Sequence, residues 1–263
     1  MNSANTTPAL AVAGLTVDYG GVRALDDVTF TVAPGEIVGL IGPNGAGKTT
    51  CIDAITGFAT ARTGRVMLGQ TNLGESAPHR IAAAGLSRTF QSLELFDDLS
   101  VADNVAVGLA TVAPAAVWTD VFGRGRRREV APAVRDMLDH LGLSDVADRR
   151  PDALSNGARH LVAMGRALVS QPKVVCLDEP AAGLDTTETE GLATVIAGLV
   201  DLGTSVLLVD HDMDLVFGTC HKVVALDFGH VIASGTPAEV RRNALVREAY
   251  LGTLHPGSTG GQS

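Results

Sequence analysis

Gly42-Pro43-Asn44-Gly45-Ala46-Gly47-Lys48-Thr49 lies between two segments of opposite character. Before it, the apolar run Ile37-Val38-Gly39-Leu40-Ile41 reads as a buried strand; after it, Thr50-Cys51-Ile52-Asp53-Ala54-Ile55 reads as the start of a helix. Strand, glycine-rich loop and Lys-Thr at a helix start form the phosphate-loop pattern G-x-x-x-x-G-K-[ST]. Glycines let consecutive backbone N–H groups turn inward around anionic oxygens. The helix N-terminus adds unpaired N–H groups and a partial positive charge. Lys48 supplies a full charge for β- and γ-phosphates, and Thr49 a hydroxyl for Mg²⁺.

The flanks set the domain around this loop. Residues 9–33 alternate apolar and polar around Gly20-Gly21, which predicts antiparallel strands. Arg65-Val66-Met67-Leu68 reads as a short strand. From about residue 99 to 170 the pattern turns helical, which sets a helical subdomain at about 95–170. Ser100 is placed to cap a helix with Asp103, and Val130, Val134, Met137, Leu138 and Leu141 fall on one helical face. Val174-Val175-Cys176-Leu177 and Val206-Leu207-Leu208-Val209 read as two further buried strands. Between them an amphipathic helix runs through Leu192, Val195, Ile196 and Leu199, with Thr187 and Glu190 as its expected capping box. Val223–Leu226 and Val231–Ala233 form a predicted hairpin through Gly229, and Thr236-Pro237-Ala238-Glu239 opens a last helix. Strands alternating with helices give an α/β fold: a mainly parallel sheet with an antiparallel β part and an inserted helical lobe.

Composition narrows the class. The chain has 263 residues, 46% of them hydrophobic, and carries a net charge of −9, which argues against a general nucleic-acid binder. No apolar run reaches the ~20 residues that span a bilayer. The N-terminus lacks a signal-peptide pattern, so a soluble, cytoplasmic chain is expected. Cys51, Cys176 and Cys220 lack metal-type spacing and read as buried free thiols. Residues 1–8 and 253–263, polar and rich in small residues, are expected to be disordered, leaving 9–252 as the domain. The segment Trp118–Arg128 reads as an exposed loop, its arginines solvated or set against lipid headgroups or a membrane partner.

Other residues complete a site by their position. Leu177-Asp178-Glu179 ends a buried strand, where open α/β sheets place their chemistry. An acid there can hold Mg²⁺ with the loop hydroxyl, which suits Asp178, and Glu179 can act as general base on water. His211 follows the next buried strand, and Gln91 precedes the helical lobe. Ser155, before Asn156-Gly157-Ala158, is a helix N-cap whose hydroxyl and neighbouring N–H groups form an exposed anion site.

In this order these pieces resemble the ATP-binding cassette (ABC) ATPases: an aromatic residue, phosphate loop, glutamine, Leu154-Ser155-Asn156-Gly157, strand-Asp178-Glu179, Ala182-Gly183-Leu184-Asp185, then His211. The resemblance spans about Leu10 to Gly252 and implies a RecA-like P-loop NTPase core. It implies that Tyr19 stacks on adenine. Gly42, Pro43, Asn44, Gly45, Ala46, Gly47, Lys48, Thr49 and Thr50 would bind the nucleotide, Lys48 also serving catalysis. Thr49, Gln91 and Asp178 would hold Mg²⁺, Glu179 would act on the lytic water, and His211 would contact the γ-phosphate. Ser155 and Gly157 would reach ATP bound by a second cassette, identical or sister, with Asp185 at the interface.

Ser87-Arg88-Thr89-Phe90-Gln91, Leu95–Val101, His211-Asp212-Met213 and Glu248-Ala249-Tyr250-Leu251-Gly252 look like the ATPases of branched-chain amino-acid importers. The Trp118–Arg128 insert looks like that of the larger of that system's two cassette types. The implied partners are permease subunits and, indirectly, a substrate-binding protein, with the chain on the cytoplasmic face of the membrane. Lipopolysaccharide-export ATPases share much of the layout. Import of urea or a short amide fits the same residues, and so, less well, does a non-transport ATPase. The signature departs from the family at Asn156, Ala158 and His160; Ala158 stands for a Gln and His160 for an Arg, and those two changes remove polar contacts near the sandwiched nucleotide.

Overall fold

The computed structural model describes residues 7–111 and 131–252. Its centre is strand β3, Ile37–Ile41, buried at every position. Residues of one parity, Ile37 and Ile41, enter a core on one face of the sheet; Val38 and Leu40 enter a second core on the other. The same division separates Val175 and Leu177 from Val174 and Cys176, and Val206 and Leu208 from Leu207 and Val209. A continuous apolar run is thus a strand covered on both faces, as parallel sheets require.

Numbered along the chain, β1 is Leu10–Tyr19, β2 Val22–Val32, β4 Thr63–Leu68, β5 Thr71–Asn72 and β6 Leu86–Arg88. Farther on come β7 Val174–Asp178, β8 Ser205–Val209, β9 Lys222–Asp227 and β10 His230–Gly235. Among the described residues one sheet has the order β10-β9-β3-β8-β7-β6. Its strands are parallel except β10, which closes an antiparallel hairpin with β9. The second sheet, β2-β1-β4-β5, is antiparallel. It shares its core with helix α1, Lys48–Ile55, and with one face of the large sheet. The predicted hairpin is therefore present, and its first strand also extends the parallel sheet beside β3.

The opposite face carries the helices. In the lobe, α3 is Val101–Val107, α4 Pro132–His140 and α5 Asn156–Leu168. Val134, Met137, Leu138 and Leu141 are buried as their spacing predicts, while Val130 and the Trp118–Arg128 segment lie outside the described residues. Ser100 accepts from the Asp103 N–H at 3.1 Å, as a capping residue should. Asn104, fully buried, bonds the Phe96 N–H and carbonyl and fixes the segment entering the lobe.

Helix α2 is Pro78–Ala84, α6 Thr186–Gly198, α7 Met213–Thr219, α8 Pro237–Arg242 and α9 Ala244–Gly252. The expected cap of α6 is displaced. Asp185, rather than Thr187, is the N-cap, and Glu188, rather than Glu190, completes the capping box. The carboxylate of Asp185 takes the Glu188 N–H at 2.8 Å and starts the helix ahead of the expected Thr187 cap. The Thr236–Glu239 box is found as expected. The three cysteines are buried and unpaired, and burial pushes the Cys176 and Cys220 thiols up to about 12.

Candidate active site

The loop after β3 turns through left-handed glycines: φ is 83° at Gly45 and 104° at Gly47, the N-cap of α1. At Gly47 a Cβ would stand 2.8 Å from the Ala24 carbonyl; at Gly42 it would collide with that of Leu226. The loop is thus clamped between β2 and the β9 end, and side chains at these two positions do not fit. Gly229, at the β9–β10 turn, adds an N–H bond to the Ala46 carbonyl at 3.0 Å.

Lys48 is buried and donates to the carbonyls of Gly42 (2.7 Å) and Pro43 (3.1 Å). Its ammonium spans the loop it belongs to. Burial lowers its pKa, and the charges of Glu179 and Asp178 oppose that shift. Thr49, Gln91 and Asp178 all line one opening of about 450 Å³, with Arg88, Phe90 and Ser92. These are the three predicted metal residues, brought together from α1, the stretch after β6 and the end of β7. Their hydroxyl, amide and carboxylate oxygens are the hard donors Mg²⁺ takes, and they leave places for water and phosphate oxygens. The donor set fits that ion. Among the described residues no cluster of three His, Cys, Asp or Glu side chains offers another metal site.

Gln91 donates from Nε2 to Glu179 Oε2 at 2.6 Å, leaving its amide oxygen for a metal. Glu179 holds a positive φ of 48°, uncommon for a side-chain-bearing residue, and its N–H is tied to the Val209 carbonyl at 2.7 Å. Strain of this kind concentrates where geometry serves function. His211 stands at the end of β8, two-thirds exposed, with Nδ1 3.6 Å from the buried Asp210. Asp210 also accepts from the Ala181 N–H at 3.1 Å, so it braces the segment after Glu179. Tyr19, at the end of β1, is half exposed, as a stacking platform must be. Thr50 lies in the first turn of α1.

The signature residues form a separate cluster. Ser155 caps α5 through the Ala158 N–H at 3.2 Å. Asn156 donates to the Gly183 carbonyl at 2.9 Å, and the Gly157 N–H donates to Glu188 Oε1 at 2.9 Å. The N–H expected to meet phosphate is therefore held by a carboxylate. His160 is buried, bonds the Pro180 backbone and has its pKa lowered by burial. The departure at this position thus supports the chain right after Glu179.

Sequence reasoning gave no role to Arg88, Glu188 or Tyr250. Arg88 ends β6 beside β7, whose last residue is Asp178, so opposite charges stand on neighbouring strand ends. Glu188 sits one turn into a helix. Tyr250 lies 208 residues from Gly42, whose N–H donates to its hydroxyl at 2.8 Å, and no local pattern announces that contact.

Residues 25–182 match the ABC transporter family, and residues 230–255 match the family described as branched-chain amino acid ATP-binding cassette transporter. The chain is 36% identical over 250 residues to the high-affinity branched-chain amino acid transport ATP-binding protein LivG of Escherichia coli (strain K12), covering 93% of this chain and 98% of that protein. It is 35% identical, with the same coverage, to the high-affinity branched-chain amino acid transport ATP-binding protein BraF of Pseudomonas aeruginosa. It is 32% identical over 243 residues to the lipopolysaccharide export system ATP-binding protein LptB of Escherichia coli (strain K12), covering 92% and 97%. Among solved structures, the ADP conformation of MJ1267, an ATP-binding cassette of an ABC transporter, superposes with a TM-score of 0.81. It has 29% identity and covers 94% of this chain and 100% of that one.

Proposed function

Because the chain belongs to the ABC transporter family and is a nucleotide-binding ATPase of that family, we propose that it powers import of branched-chain or related amino acids through partner permeases. The observation that carries the chemistry is the convergence of Lys48, Thr49, Gln91, Asp178 and Glu179 beyond the C-terminal ends of the parallel strands. The match of residues 230–255 favours the amino-acid cargo over lipopolysaccharide export.

In this reading the loop N–H groups and the N-terminus of α1 take the ATP phosphates, and Lys48 leaves the Gly42 and Pro43 carbonyls for the β- and γ-oxygens. Tyr19 stacks on adenine. Thr49, Gln91 and Asp178 would hold Mg²⁺, which when bound would supply neutralisation of the phosphate charge. Glu179 takes the proton of the attacking water, and His211 donates to the γ-phosphate. Gln91, now bonded to Glu179, is the residue whose movement frees that carboxylate. Ser155 and Gly157 complete the site of a second cassette, identical or sister, once Gly157 is released from Glu188, and Asp185 lies at that interface.

The cleft between core and lobe, about 640 Å³, is lined by Phe58, Phe90, Leu95 and Phe96, its three rings being exposed. It is where a cytoplasmic loop of a permease would seat. No described helix is long and apolar enough to cross a membrane, so the chain would be held at the cytoplasmic face by such partners. Residues 9–252 would form the cassette, with the described part of 95–170 as its helical lobe.

The test is Mg²⁺-dependent ATPase activity of the chain with its co-expressed permeases. Glu179→Gln is expected to lower turnover by roughly a hundredfold or more while ATP still binds. Lys48→Ala is expected to weaken ATP binding itself. Hydrolysis near the wild-type rate in the first variant, or unchanged affinity in the second, removes the assignment. Leucine-stimulated turnover in vesicles carrying the binding protein decides the cargo.

A further inference from the structure

Arg88 is an almost buried cation, 9% exposed, that joins parts of the molecule otherwise separate. It ends β6, in register with Cys176 of β7. One nitrogen lies 2.8 Å from Asp178, itself 7% exposed. Another lies 2.5 Å from Asp53, on the helix that follows the phosphate loop. The guanidinium stands 5.1 Å from the ring centre of Phe90 and 5.7 Å from that of Phe58, and the two rings meet edge to face at 5.6 Å. Its Nε has no hydrogen-bond partner among the described residues. The planar fork donates to two carboxylates and, more weakly, to the Thr56 hydroxyl at 3.4 Å, and the aromatic rings over it fix its position.

Arg88 also lines both the large cleft and the opening that holds Thr49, Gln91 and Asp178. Phe58 and Phe90, which roof it, are exposed at 56% and 44% and form part of the cleft wall. A body seated in the cleft would touch the rings, the rings touch the guanidinium, and the guanidinium touches the carboxylate.

We infer that Arg88 is a positioning residue that ties the permease-facing cleft to the metal site: it aims the Asp178 carboxylate, and Phe58 and Phe90 aim Arg88. This rests on the reading above, in which Asp178 serves Mg²⁺ and the cleft takes a permease. A lysine at 88 keeps the charge but loses the planar fork whose two separate nitrogens hold one carboxylate each. Metal sites lose affinity when the group orienting a ligand is removed.

The experiment uses the full chain and two separate readouts: the Mg²⁺ concentration giving half-maximal ATPase activity, and ATP affinity in EDTA. Arg88→Lys is expected to raise the Mg²⁺ half-saturation about tenfold while metal-free ATP affinity stays within about twofold of wild type. Phe58→Leu, a change at an exposed ring, is expected to shift it about threefold in the same direction. In the Arg88→Lys background Phe58→Leu should then add nothing, because its effect passes through the guanidinium. An unchanged or lowered half-saturation in Arg88→Lys overturns the inference, and so do additive shifts in the double variant. Should Arg88→Lys not fold, an unshifted Phe58→Leu overturns it alone. Failure of the functional reading looks different: the wild-type chain would then show no Mg²⁺-dependent hydrolysis.

Discussion

His160 is an ionisable side chain set into the packing beside the site. Its ring is buried beneath the chain that leaves Glu179, bonded to the Pro180 backbone, with Glu188 and Asp210 favouring its charge and Arg159 opposing it. Burial dominates, so the folded state holds its proton less tightly than the unfolded chain, whose value is near 6.5. The unfolded state then binds more protons as the solution is acidified. The stability this residue contributes is complete above that value and is lost as pH falls below it. Unfolding midpoints at about pH 7.5 and about pH 5.5 check this. The wild-type chain should lose more on acidification than His160→Gln, and equal losses would contradict it. At this scale the sequence was informative wherever a residue's role is local. Lys48 and Thr49 announce themselves through the glycines before them. Arg88 and Tyr250 do not, because their partners lie on other elements and only the folded chain brings them together.

Among elements, α9 is coupled to the site in a way its sequence hides. Its Tyr250 hydroxyl accepts from Gly42 at 2.8 Å, so the helix is anchored to the first residue of the phosphate loop. Gly42 is buried, and an unpartnered buried N–H is costly. Tyr250→Phe keeps the ring and removes the acceptor. It should lower stability by about 1–2 kcal/mol in denaturant titration and leave helix content unchanged. A loss near zero would mean that water replaces the phenol. The α6 cap shows why element boundaries were harder to read than elements. Thr187 and Glu190 satisfy the capping pattern in sequence, but so do Asp185 and Glu188, and the latter pair also places Glu188 against Gly157. Contact with another helix chose between two local solutions that the pattern alone ranks equally. The strands were legible for the opposite reason: runs such as Val174–Leu177 are apolar at every position because both faces are covered.

For the whole molecule, the signature cluster and the phosphate loop belong to different lobes, and Gly157 is occupied by Glu188. A sandwich of two cassettes is the arrangement that would use both. Glu179→Gln with ATP, alone or co-expressed with a sister cassette, should elute at twice the monomer mass, and the same protein with ADP should not. Light scattering after size exclusion measures this. A monomer under both nucleotides in both preparations would remove the sandwich. The α/β layout, the antiparallel part and the helical insert could all be read from periodicity. That Lys222–Asp227 joins the parallel sheet could not, since its run also reads as half of a hairpin.

Strand β3 sits between β8 and β9, paired on both edges and covered on both faces. Its amides can meet solvent deuterons only when the entire sheet comes apart, whereas those at the lobe surface need only local fraying. The glycine-rich loop is consequently mounted on the slowest-opening part of the chain, and cycles of nucleotide turnover must be accommodated by pivoting the helices around an immobile strand.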